Sequence, residues 1–167
     1  LGLASLPAEN RSELLAFQRK TAALQRAVLG AGQAAEEAQK RLDHIKAALS
    51  NTPEASSDLV NEARALELRL KDLSIKLSGD RLLQRRNEPT PPSITERVEG
   101  IVGGHWTSTS AATQTQHEDY NIAAEEFAPV LESLRGLIEN DLAKLEEKLE
   151  QANAPWTPGR VPRWKRE

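Results

Sequence analysis

The chain has 167 residues, a formal net charge of −3 from 22 basic and 25 acidic side chains, and 38% apolar residues with only 4% aromatics. That length suits one domain with a real core, and the bias to Ala, Leu, Glu, Lys and Arg belongs to long helices, so an all-α fold is expected. The lack of cysteine excludes disulfides, thiolate zinc sites and cysteine nucleophiles, the mixed charge leaves no broad basic face for nucleic acid, and no apolar run approaches the roughly 20 residues that span a bilayer.

Methionine is absent and the sequence opens on Leu1, so it reads as a piece of a longer polypeptide whose targeting signal would lie on the remainder. A long helix is predicted over about 7–50, starting near Pro7. Leu14, Phe17, Thr21, Leu24, Val28, Ala31, Ala35, Ala38, Leu42, Ile45 and Leu49 alternate steps of three and four, the seam of a left-handed helix pair. Glu36 with Lys40 and Glu37 with Arg41 are spaced as ion pairs along a solvated face. Asn10-Arg11-Ser12 matches the glycosylation triplet, a signal that chance explains equally well.

Thr52 and Pro53 have the chemistry of an N-cap and a first helical position, which predicts a second helix over about 53–79. Leu59, Ala63, Leu66, Leu70, Leu73 and Leu77 form its seam. A second apolar row at Leu68, Ile75 and Leu82 implies two neighbours and a bundle rather than a two-stranded coiled coil. Gly79-Asp80 breaks the pattern, and residues 87–92 form a Pro-rich, extended linker that lets the next helix run back beside the first.

Ser93 and Glu96 form a capping box that opens a short helix over about 94–103, carrying Ile94, Val98, Ile101 and Val102 and ending at Gly103-Gly104. A Ser/Thr/Ala-rich loop follows. A second capping box, Thr115 to Glu118, opens a long helix over about 116–153 that contains Pro129. Its stripe runs Tyr120, Ala124, Phe127, Leu131, Leu134, Ile138, Leu142, Leu145 and Leu149, with one residue of phase drift near Asp141. The tail, residues 154–167, has turn chemistry at Trp156-Thr157-Pro158-Gly159 before a basic end. The whole reads as a single helical domain, an elongated bundle of three long helices and one short one with coiled-coil-like packing, holding roughly 70% or more of the residues against a usual third.

The residues supply no catalytic, cofactor-binding or metal-binding set. His44, His105 and His117 lie far apart in sequence, and His117-Glu118 begins like a zinc-protease helix but has Asn121 where the second histidine belongs. The glycines precede no Gly-Lys-Ser/Thr triplet, no Gly-x-Ser-x-Gly elbow occurs, and neighbouring pairs such as Glu125-Glu126 and Glu146-Glu147 diverge around a helix. Rare large aromatics outside the seam are the features that need a reason. Trp106 and Trp156 are expected to cap the bundle ends, with the glycines at 100–104 letting His105-Trp106 fold back, or else to anchor a partner, and Trp164, among Arg163, Lys165 and Arg166, is expected to be exposed.

Three segments, Asn87-Glu88-Pro89-Thr90-Pro91-Pro92-Ser93-Ile94, Tyr120 to Pro129, and Ala154-Pro155-Trp156-Thr157-Pro158-Gly159-Arg160, resemble the C-terminal region of large bacterial propeller proteins with BNR/Vps10 (sortilin-like) repeats, often called glycosyl-hydrolase-like. The resemblance implies a helical appendage to an exported parent whose propeller would hold any ligand site, and it transfers no active-site residue. It leaves two functions: a non-enzymatic assembly or docking module, or an accessory region supporting a hydrolase site in the propeller. The expected partners are that propeller or a second copy of the chain, with neither nucleic acid nor membrane insertion. A two-fold contact would use Leu14, Phe17 and Leu24 or Leu42, Ile45 and Leu49, because the second helix offers too few seam positions to cover the first. Trp106, Trp156 and Trp164 complete the candidate interaction residues.

Overall fold

Asn10 starts the first helix. Its side-chain oxygen accepts from the Glu13 backbone N–H at 3.2 Å, and its amide donates to the Glu13 carboxylate, so the residue of the glycosylation triplet is spent as an N-cap. The computed structural model describes residues 9–162, Trp164 and Arg166; the expected start at Pro7, and Arg163 and Lys165, lie outside them. Among the described residues the protein is 76% helical without a strand, an all-α fold of helices packed on one another. The elements are α1 (Arg11–Ser50), α2 (Ser57–Ser78), α3 (Arg81–Arg85), α4 (Ile94–Thr107), α5 (Gln114–Gly136) and α6 (Ala143–Gln151), with a π-helical turn, Leu137–Leu142, between the last two. Contacts gather into two units, one of residues 9–32 with Ser74–Leu131, the other of Gln33–Leu73 with the chain from Glu132 onward.

In the first unit α1 buries Phe17, Thr21, Val28 and Ala31, α4 buries Ile94, Val98 and Ile101, and α5 buries Ala123, Phe127 and Val130. Thr21 sits in this core because its hydroxyl donates to the Phe17 carbonyl at 2.9 Å and leaves only its methyl to pack. Arg97 of α4 bonds Asp119 of α5 at 2.6 Å. At the end of α2, Gly79 takes φ +82°, where any Cβ would be strained and would meet the Gln84 amide at 2.6 Å. The Thr95 hydroxyl donates to the Leu77 carbonyl, which the end of α2 leaves without a helical donor. Asp80 then caps α3, a helix the sequence pattern did not reveal, and Asn87 stops it. Residues 88–93 carry no regular structure, and α4 returns alongside α1, where His105 packs on Phe17.

The Ser93–Glu96 capping box is present as expected. Two boundaries of this unit differ from expectation. First, α4 continues through Gly103-Gly104 to Thr107, because a helical glycine costs only about 1 kcal/mol and packing of the flanking turns offsets it. Second, the box opening α5 is Thr113 with Gln116, not Thr115 with Glu118. The Thr113 hydroxyl accepts from the Gln116 N–H at 3.2 Å, and the Gln116 side chain accepts from the Thr113 N–H at 2.9 Å.

The second unit is a three-helix arrangement in which each helix is tied to both others. Arg41 of α1 reaches Glu146 of α6 at 2.8 Å and so does not serve the expected pair with Glu37. Lys46 of α1 bonds Glu67 of α2, whose carboxylate raises the lysine pKa. Lys148 of α6 meets Glu62 of α2, and Arg69 of α2 meets Asp141 in the π turn. Inside lie Ala35, Ala38, Leu42, Ile45 and Leu49, then Leu59, Ala63, Leu66 and Leu70, then Leu134, Leu137, Leu142, Leu145 and Leu149. Each buried leucine or isoleucine contributes about 1.5–3 kcal/mol. One seam on α2 serves both neighbours, since each helix turns a single stripe to the shared interior. Of the expected second row, Leu68 is exposed, Ile75 is half-buried, and Leu82 falls in α3, where it is exposed.

The start of α2 also moves. Thr52 and Pro53 belong to a turn closed by the Ala55 N–H on the Thr52 carbonyl at 3.0 Å, and the cap is Ser56, whose hydroxyl accepts from the Leu59 N–H. The phase drift near Asp141 is the π turn. The buried stripe runs 134, 137, 142, 145, 149, so the one step of five falls where the i→i−4 pattern widens. Regular α-helical spacing would have carried Asn140 or Asp141 into the apolar interior. After α6, Asn153 takes φ +53°, and the Ala154 N–H bonds the Leu149 carbonyl while the Asn153 N–H bonds that of Glu150, a Schellman stop. Thr157-Pro158-Gly159-Arg160 closes a second turn with Gly159 at φ +91°.

Candidate interaction surface

The seam residues expected to bind a partner are used within the chain. Phe17 is 3% exposed, Leu42 and Ile45 are 0% and Leu49 is 5%, while Leu14 and Leu24 are half-buried. The length mismatch that called for a second copy disappears because each unit supplies two further helical faces to its part of α1. Phe17, Leu42, Ile45 and Leu49 are thus covered by the chain itself, while Leu14 and Leu24 keep part of their surface.

Trp106 behaves in the opposite way. The seam of α4 runs Ile94, Val98, Ile101 and then His105, steps of four, three and four, and the helix persists far enough for His105 to occupy the last position. The next residue is turned by about 100°. Trp106 therefore points away from the seam and is 86% exposed, covering no bundle end as expected of it. Gly100 and Gly103 precede it at steps of three on the same outer face, and a Cβ added at either would meet nothing within 4 Å. Among the described residues nothing packs closely enough on Gly100 or Gly103 to require the bare backbone there. Gly104 differs, since a methyl on it would collide with the Gln116 side chain of α5.

Behind Trp106, His105 lies edge-on to Phe17 with centroids 5.4 Å apart. His117 and Tyr120 of α5 pack on the same ring at 4.3 and 5.9 Å, and the Lys20 ammonium stands 4.9 Å from the Phe17 centroid and 4.1 Å from that of Tyr120. Two histidines far apart in sequence thus meet on one phenylalanine. The Nε2 atom of His105 is buried without a hydrogen-bond partner, and burial pushes its pKa down from the ordinary 6.5.

The other tryptophans lie in the tail. Trp156 is 41% exposed beneath the Arg160 guanidinium, and Trp164 is 81% exposed. An open depression at the start of α2 is lined by Glu54, Ser56, Asp58, Glu62 and Lys148, but Lys148 is held by both oxygens of Glu62 and Ser56 is occupied as a cap. Among the described residues no three His, Cys, Asp or Glu side chains are grouped to hold a metal, and no helix is long and apolar enough to cross a membrane. No family model, curated protein or solved structure matches the chain.

Proposed function

We propose that the chain is a non-enzymatic helical docking module whose contact surface is built around Trp106. The observation that carries this reading is an 86% exposed tryptophan beside two glycines that open a flat strip of helix backbone. Glycine inside a helix costs roughly 1 kcal/mol relative to alanine, and a solvent-facing tryptophan leaves a large apolar surface in water. Both costs are recovered when another surface lies flat against the strip with Trp106 as its anchor, the arrangement in which tryptophan most often dominates binding energy.

The partner we propose is the propeller domain of an exported parent polypeptide, on the strength of the resemblance carried by the segments at Asn87, Tyr120 and Ala154. The test is calorimetry of the chain against that separately produced domain. We expect a complex with a dissociation constant of about 100 µM or tighter, and a Trp106→Ala variant that keeps its helical circular dichroism but binds at least about tenfold more weakly. Unchanged affinity in a folded Trp106→Ala variant, or no heat at all with the wild-type chain, overturns the reading.

A further inference from the structure

We infer that the Phe17 cluster is an acid-operated latch: protonation of His105 adds a cation, on the ring that Lys20 already faces, where no acceptor stands among the described residues, and α4 lets go of Phe17. The inference stands independently of the docking reading, because it concerns the contacts that hold α1, α4 and α5 together in the first unit. The neutral imidazole suits its place, since its Nε2 can remain an unprotonated, unbonded acceptor against the apolar ring. A protonated ring must bury an N–H that has no acceptor, together with a full charge.

The surrounding charges do nothing to relieve this. On α1 the nearby charged groups are Lys20, already over the Phe17 and Tyr120 rings, and Glu13, which accepts from Asn10. On α5 they are His117, itself packed on Phe17, the Tyr120 phenol, Glu118, which accepts from Gln114, and Asp119, which is paired with Arg97. On α4 itself the nearest carboxylate in sequence is Glu99, nearly two turns back on the exposed face. The sign follows from the burial of His105. Its pKa is depressed in the folded state, so the unfolded chain binds the proton more readily, and stability is complete above the ordinary histidine range and falls as pH drops below it. Carboxylates titrate lower, which leaves the window between about pH 7 and about pH 5 to histidine.

The experiment is hydrogen exchange of the full chain at about pH 7 and about pH 5, corrected for intrinsic rates, with the two units read separately. We expect peptides covering α4 and the start of α5 to lose protection about tenfold or more at the lower pH, while peptides from Leu59–Leu70 and Leu142–Leu149 change little. His105→Phe, which keeps an aromatic edge on Phe17, and His105→Gln should each hold their protection across the same window, so one folded variant suffices. Equal protection of the wild type at both pH values, or an equal loss in a folded His105 variant, overturns the latch.

Discussion

Arg160 lays its guanidinium 4.6 Å above the centroid of the Trp156 ring, and the turn between them, with Gly159 at φ +91°, sets that stacking. The Arg160 side chain is 9% exposed and reaches Glu150 at 3.5 Å, so the tail is clipped to the end of α6. The contact with the ring carries more of this than charge, because the pair with Glu150 is long and the Glu150 side chain is 42% exposed. We expect Arg160→Ala to cost about 1 kcal/mol and Arg160→Lys to recover less than half of it. Urea denaturation of the three proteins, with Trp156 emission followed alongside, checks this; full recovery by lysine would assign the effect to charge.

Thr113 and Thr115 make a sharper test of the α5 start. Only Thr113 exchanges bonds with the residue three ahead. Thr113→Ala should lower stability by about 1 kcal/mol, whereas Thr115→Ala should stay within about 0.5 kcal/mol of the parent. Thermal melts followed by circular dichroism distinguish the two, and the reverse order would place the cap at Thr115.

Asn87 and Asn153 both take φ +53° and both precede a proline by two residues, so two helices end by the same device. Replacing either by Gly should leave stability unchanged or raise it slightly. Replacing either by Ala should cost on the order of 1 kcal/mol, because a methyl is strained in that backbone region. Midpoints of chemical denaturation for the four variants give the answer.

Glu96 accepts from the Ser93 N–H at 2.7 Å and from its hydroxyl at 2.9 Å, and these bonds hold its pKa below the ordinary 4.5. A depressed carboxylate stabilises the fold above its unfolded pKa and loses that contribution as pH falls through the folded value. Glu96→Gln should therefore differ from the parent at neutral pH and converge with it in acid below the carboxylate range. A stability difference that persists unchanged into strong acid would mean that the capping box does not depend on the carboxylate charge.

In the core, Leu42→Ala and Leu145→Ala remove side chains with no exposed surface and should each cost about 2–5 kcal/mol, enough to lower the melting temperature by about 5 °C or more. The exposed Leu68→Ala should change it by about 1 °C or less. Calorimetry of the three variants tests the division between the buried interior of the second unit and the exposed face of α2.

The seam of α1 was legible because its steps of three and four are uninterrupted, and the Ser93 box because serine and glutamate stand at the one spacing that lets each reach the other's backbone. Ends of helices were less so. Thr113 and Thr115 each have a Gln or Glu three residues on, and Ser56 competes with Thr52-Pro53, so only packing of the following turns chooses between them. The burial of Leu68 was misjudged because an apolar row shows that a helix has apolar residues, not that a neighbour lies over them. Trp106 could have been placed from sequence by continuing the Ile94, Val98, Ile101 spacing through the glycines. The meeting of His105 and His117 on Phe17 depends on how three helices pack together, and no spacing in the sequence carries it.

The π turn between Leu137 and Leu142 holds one residue more than the packing on either side needs. Such a surplus is the trace that an insertion leaves when a helix keeps both flanking stripes on the inside. Loss of Asn140 would convert the step of five into a step of four and join the stripes in an ordinary α-helix, so a deletion that would scramble any other part of this rod should be absorbed here. A deletion of Leu134 or Leu145 would instead rotate every apolar residue beyond it by about 100°. The last helix thus contains a place where its length can change by one residue while its inward face stays the same.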